Sequence, residues 1–100
     1  MNYYFHPEAL QEYIEAAQYY YEISPSLANA FITQVENNIN QILFHPQAWQ
    51  PVDMEVRRCL MKRFPFGIYY TIEEETNSIV IQAVMHFSRK PGYWKDRIPE

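Results

Sequence analysis

Val56-Arg57-Arg58-Cys59-Leu60-Met61-Lys62-Arg63-Phe64, then Pro65-Phe66-Gly67, then Ile68-Tyr69-Tyr70-Thr71-Ile72-Glu73, and, after a polar stretch from Glu74 to Ser78, Ile79-Val80-Ile81-Gln82-Ala83-Val84-Met85-His86 decide the fold. The three longer runs are rich in β-branched and aromatic residues and are parted by Pro/Gly and then by Glu/Thr/Asn/Ser, which predicts three consecutive antiparallel strands. Such a sheet needs an apolar partner layer, and the only other periodic segments precede it. Two helices therefore come first and the sheet closes over them.

Immediately before residue 56, Gln47 to Glu55 holds Trp49 and Pro51 and reads as a loop; His45-Pro46 ends the helix that feeds it. That helix opens at Ser24-Pro25-Ser26, where a capping serine and a first-turn proline fall together. Leu27, Phe31, Val35, Ile39, Ile42 and Leu43 form its apolar stripe, with Asn29, Thr33, Glu36, Asn37 and Asn40 opposite. An earlier helix runs from Pro7 to Ile23. Ala9, Leu10, Tyr13, Ile14, Ala17 and Tyr20 or Tyr21 make its stripe, and Glu8, Gln11, Glu12, Glu15, Gln18 and Glu22 its polar side. The short link makes the two an antiparallel hairpin. On this reading Phe31 and Leu10 are both core residues. Tyr3-Tyr4-Phe5, followed by His6-Pro7, is a brief strand for the sheet edge. After His86 the chain is too punctuated for a long helix; one or two turns can start at Pro91, with Tyr93 and Trp94 as anchors.

With 100 residues, 48% of them hydrophobic and 17% aromatic, the chain can bury one modest core, so residues 1–100 form a single domain. It lacks a run of about 18 apolar residues for a membrane span and a secretory-type start. The single Cys59 excludes an internal disulfide and fits a reducing compartment, so the expected location is cytoplasmic. Charge is divided along the chain. The first 56 residues hold seven carboxylates and no Lys or Arg, a formal −7; the last 44 hold eight cations against five carboxylates, +3. The sheet and tail therefore carry a basic surface suited to an anionic partner, or the helices have merely collected surface glutamates.

The order strand, helical hairpin, three-stranded meander and short basic tail carries a resemblance. Pro7-Glu8-Ala9, Ala16-Ala17-Gln18-Tyr19-Tyr20 and Ser26-Leu27-Ala28-Asn29-Ala30-Phe31 contribute to it, as do Arg57 to Tyr70, Ala83-Val84-Met85-His86 and Arg89-Lys90-Pro91-Gly92-Tyr93-Trp94. Over nearly its whole length the chain resembles the RelE/ParE superfamily of type II toxin-antitoxin toxins, also called plasmid stabilisation proteins, and its ParE-like branch in particular. The resemblance implies an α+β fold, β-α-α-β-β-β, with the helical hairpin packed on an antiparallel sheet.

It implies two activities. ParE-like toxins inhibit growth by poisoning DNA gyrase through protein contact; Arg58, Lys62, Arg63, His86, Arg89, Tyr93 and Trp94 would then contact the target or the antitoxin. RelE-like toxins cleave messenger RNA on the ribosome. Carried across position by position, Arg58 and Tyr93 match that nuclease set, while Leu60, Gly67 and Phe87 stand where a lysine and two arginines are expected. A nuclease here would rest on Arg58, His86 and Tyr93, with few charges to stabilise a phosphorane. A toxin fold with another target, or with no remaining toxicity, is a third reading. The resemblance also implies a cognate antitoxin whose acidic arm folds on binding, and it leaves a homodimer open. Direct nucleic-acid binding is expected to be weak at a net charge of −4.

Each site residue also has a structural reading. His86 can be a hydrogen-bonded strand-end histidine, Arg58 can pair with Glu73 across the sheet, and Tyr93 and Trp94 can be packing anchors. Tyr19-Tyr20-Tyr21 reads as one buried ring and two rim rings. Cys59 has no flanking motif of a nucleophile. His6, His45 and His86 are too scattered for a metal site, and with only Gly67 and Gly92 there is no phosphate loop; neither metal nor cofactor is expected.

Overall fold

A computed structural model describes residues 1–90 and 92–98. The chain runs β1 (Asn2–Phe5), α1 (Pro7–Ile23), α2 (Pro25–Phe44), β2 (Pro51–Asp53), β3 (Val56–Leu60), β4 (Phe66–Glu73), β5 (Ser78–His86) and a 3-10 helix (Tyr93–Arg97). The five strands form one mixed sheet in the order β1-β5-β4-β3-β2. The helical hairpin covers one face, as the apolar stripes require, and the C-terminal 3-10 helix lies over part of the other.

Local chemistry sets the boundaries of the hairpin. His6 precedes Pro7 and caps α1, its Nδ1 accepting the Glu8 N–H at 3.1 Å. Ser24 serves both helices: its N–H donates to Tyr20 O, and its hydroxyl accepts the Leu27 N–H at 3.4 Å. One residue thus turns the chain back on itself. Phe31 sits at the centre of the helix-side core, with Tyr20, Phe64 and Phe66 centroids 5.1, 5.2 and 5.2 Å away. Tyr20 is the partly buried ring of its run, and Tyr19 and Tyr21 are exposed.

Several boundaries differ from the sequence reading. Leu10 is 42% exposed and outside the core. The residues of α1 that reach the sheet are Ala9 and Ala16, with Tyr13, Ala17 and Tyr20 partly buried, so small residues let the helix approach closely while Leu10 and Ile14 fall on its flank. The segment from Gln47 to Glu55 is not all loop, because Pro51–Asp53 pairs antiparallel with β3. Three residues with a leading proline carry no period-2 signal, but an edge strand tolerates a proline at its first position. Arg57 ties the preceding loop down by donating to Gln47 O and Trp49 O at 3.2 and 2.6 Å.

The first meander strand stops at Leu60, where the chain turns through Met61 to Pro65 to bury Phe64, and β4 already begins at Phe66. Arg58 faces Tyr69 in the ladder and does not pair with Glu73, which is held instead by the Tyr4 and Thr76 hydroxyls. β1 joins the sheet edge as expected but lies parallel to β5. The one or two turns expected from Pro91 materialise as the 3-10 helix; Pro91 itself lies outside the described residues. Among the described residues no helix is long and apolar enough to cross a membrane.

Truncating Phe31 to Ala is expected to cost about 3–5 kcal/mol, because it empties the middle of a close-packed aromatic cluster. Leu10→Ala should cost under about 1 kcal/mol, in line with a half-exposed position. Chemical denaturation of the two variants checks the assignment, and equal losses would contradict it.

Candidate protein-contact cleft

β1 follows β5 only from Ser78 to Ile81. Beyond it, the edge of β5 would present bare backbone, and the chain fills that edge with side chains. A bulge opposite Tyr69 and Tyr70 leaves Gln82 as the extra residue. Glu12 Oε1 accepts the Val84 N–H at 3.0 Å, and Arg97 Nη1 donates to Gln82 O at 2.9 Å. The two side chains then meet each other, Arg97 donating from Nη1 and Nη2 to the two Glu12 oxygens at 3.0 and 2.9 Å. Glu8 stands 3.6 Å from Arg97 Nε. Arg97 and Glu12 side chains are only 8% and 13% exposed, so this is a desolvated, bidentate pair that pins the 3-10 helix to α1 and β5.

Tyr93 belongs to the same assembly. Its hydroxyl donates to Glu12 Oε2, and its ring lies between the guanidinium groups of Arg89, 4.0 Å from the centroid, and Arg97, at 4.9 Å. Burial, and next the hydrogen bond to Glu12, push the phenol above its ordinary range. Trp94 packs on Tyr69 with centroids 5.6 Å apart, in a second small core with Val56, Ala83 and Met85. Gly92 makes the turn into the 3-10 helix at φ +81°, which a side chain would strain.

Between the 3-10 helix and the outer face of β3 and β4 lies an open cleft of about 730 Å³. Arg58, Arg89 and Lys95 supply its positive charge, with Lys95 2.9 Å from Asp53 on the rim. Leu60 and Phe87, each 49% exposed, stand beside Arg58 and Arg89. Gly67 forms part of the neighbouring sheet surface; a Cβ there would lie 3.1 Å from the Tyr69 ring and 3.5 Å from the Arg58 stem. The space a side chain would take is already filled by those two residues.

Of the residues singled out by sequence, Arg58, Arg89 and Trp94 line this cleft and Tyr93 backs it by supporting Arg89. Lys62 and Arg63 lie beyond the end of β3, facing α2. His86 is turned to the helix-side core, edge-on to Phe66 at 5.1 Å, its Nδ1 accepting the Ser88 N–H at 3.0 Å. Arg58, His86 and Tyr93 therefore do not converge on one point. Cys59 is buried, its thiol pushed up by burial, with Asn38 Nδ2 3.3 Å from the sulfur. Among the described residues, no group of three or more His, Cys, Asp and Glu side chains is placed to hold a metal ion. Sequence reasoning missed Glu12, which reads as an ordinary surface glutamate at the edge of a helical stripe, and the apolar rim of Leu60 and Phe87.

In comparisons with known proteins, the family model described as ParE toxin of type II toxin-antitoxin system, parDE, matches residues 3–91. No curated protein matches the chain. The matched span includes Arg58, Leu60, Phe87 and Arg89 and ends before the 3-10 helix.

Replacing Glu12 by Gln leaves the desolvated Arg97 without its bidentate partner and with only the exposed Glu8 carboxylate beside it, and should destabilise the protein by about 3 kcal/mol in denaturant unfolding. A loss under about 0.5 kcal/mol would mean that the pair is effectively solvated. Alkaline pH should act through the buried phenols. Burial pushes Tyr13 and Tyr70 up to about 12, and Tyr93 is also raised. The unfolded chain ionises its tyrosines near pH 10 while the folded chain keeps these three protonated. The stabilising contribution of Tyr13 and Tyr70 is thus complete below pH 10 and is lost as pH rises through about 12. Unfolding followed from pH 8 to 12 should show this decline, and the Tyr70→Phe variant should show a shallower one.

Proposed function

The chain belongs to the ParE toxin family of type II toxin-antitoxin systems, and from that membership we propose that it inhibits DNA gyrase by protein contact, in the cytoplasm, and is neutralised by a cognate antitoxin. The observation that carries the protein-contact reading is the composition of the outer-face cleft. Exposed Leu60 and Phe87 alternate with Arg58 and Arg89, where a nuclease of this superfamily would need further cations. Arginine beside exposed apolar and aromatic side chains is the composition of a protein interface, whereas leucine and phenylalanine give nothing to a phosphate.

Two further features support the same reading. General acid-base chemistry on a ribose hydroxyl needs a proton donor or acceptor free to reach it. The Tyr93 hydroxyl is committed to Glu12, and the His86 ring lies on the opposite side of the sheet from Arg58. An acidic antitoxin arm would find Arg58 and Arg89 on the same exposed surface, so target and antitoxin would compete for it.

The test is a purified supercoiling reaction run beside a translating extract. Gyrase supercoiling should stall and messenger RNA should stay intact, and the paired charge reversals Arg58→Glu and Arg89→Glu should weaken inhibition by about tenfold or more. Cleaved messenger RNA with supercoiling untouched would overturn the proposal in favour of ribosome-dependent cleavage.

A further inference from the structure

The first helix carries one apolar spacing twice. Ala9, Tyr13, Ala16 and Tyr20 pack into the helix-side core. Leu10, Ile14, Ala17 and Tyr21, each one residue further on, repeat the same four-three-four interval about 100° round the helix. The core takes the first stripe and leaves most of the second open: Leu10 is 42%, Ile14 41% and Tyr21 62% exposed, with Ala17 half-buried among them. These four border an open apolar groove of about 360 Å³ whose other side is formed by Ala28 and Ile32 of α2. Among the described residues, no charged side chain lines it.

Four-three-four is the interval of a coiled-coil seam, and this seam is self-complementary. Positions 10, 14, 17 and 21 lie symmetrically about the midpoint between Glu15 and Ala16. Run antiparallel against itself, the stripe sets Leu10 opposite Tyr21 and Ile14 opposite Ala17, each pair twice, and the second pair matches large against small. We propose that this groove is a dimer interface: α1 of a second copy lies antiparallel in it, and the two helical hairpins join as a four-helix bundle about a two-fold axis.

Charge favours a second copy over other occupants. The first 56 residues hold seven carboxylates and no Lys or Arg, so an acidic segment or a phosphate backbone is repelled. A basic helix would find no carboxylate at the seam, because the exposed residues that flank it are the neutral Gln11 and Gln18. Glu15 and Glu22 each stand about 100° round the helix from the seam residue they follow, and Glu12 is held by Arg97. Two copies thus meet along neutral ground while their outer carboxylates repel at longer range, a repulsion that salt screens. Ala17 lets the two helices approach closely. The seam is about 16 Å long, which puts it at the small end of specific interfaces and makes the dimer reversible. The hairpin and the Arg58 cleft occupy opposite faces of the sheet, so both clefts stay open in the dimer and face outward. A partner with two sites would then be held by both at once. The proposal stands whatever that partner is.

The experiment is sedimentation velocity of the full chain over a concentration series. A reversible dimer should form, and it should strengthen as NaCl is raised from about 50 to about 500 mM, the opposite of an attraction between unlike charges. Ile14→Glu and Tyr21→Ala should each weaken the dimer by about tenfold or more. Both residues lie outside the core, so an unchanged unfolding midpoint of the dilute protein confirms that the variants are folded. For the register, chains carrying Leu10→Cys are mixed with chains carrying Tyr21→Cys and treated with a short bis-maleimide. Linkage of position 10 to position 21 should exceed linkage of position 10 to itself, and the buried Cys59 of the natural chain gives the background. The proposal is overturned if the chain is still monomeric at about 1 mM, which would leave the groove to a helix of another protein. It is equally overturned by a dimer that salt dissolves, by one that survives both substitutions, as a dimer built on the Arg58 cleft would, or by preferred linkage of position 10 to itself.

Discussion

The Glu12–Arg97 pair is the constraint on which the proposed contact face depends. A sheet edge must satisfy its backbone groups, and β1 is too short to satisfy those of β5 past Ile81. A carboxylate from the first helix and a guanidinium from the end of the chain complete the edge, one accepting from Val84 and the other donating to Gln82. Because the two groups also pair with each other, the last described turn of the chain is fixed to the first helix. A buried ion pair is weak evidence of net stabilisation, but it is strong evidence of a fixed position, since neither partner can leave without stranding the other. That position determines where Tyr93, Arg89 and Trp94 stand.

The cleft follows from this anchoring. Tyr93 is held at its hydroxyl by Glu12 and in turn supports the Arg89 guanidinium on its ring face, while Trp94 lies on Tyr69 and closes one end. Tyr93, which the resemblance to RelE-like toxins offers as a nuclease residue, is thus tied into the scaffold, its phenol made harder to ionise by burial and by the neighbouring carboxylate. What remains exposed is a basic and apolar surface, which suits binding better than bond cleavage.

Much of this was legible in the sequence, and the failures have physical causes. Ser24-Pro25, Phe31 and the β4–β5 runs declare themselves because capping, three-and-four spacing and continuous apolar strands are local signals. Leu10 was misassigned because a helix of alanines and tyrosines leaves two adjacent faces almost equally apolar, and only the close approach allowed by Ala9 and Ala16 decides between them. β2 was missed because three residues have no detectable period. Arg58 and Arg89, singled out by the charge division and the family resemblance, lie together on one cleft. Glu12 was not singled out, because its partner lies 85 residues away and nothing local distinguishes it from the other glutamates of α1.

Hydrogen exchange on the chain, alone and mixed with purified gyrase, tests the central claim that the outer-face cleft is the working surface. Slowed exchange should appear at the end of β3, around Phe87 to Arg89 and in the 3-10 helix, with the exposed faces of α1 and α2 unchanged. Protection confined to the helices, or none at saturating gyrase, would contradict it.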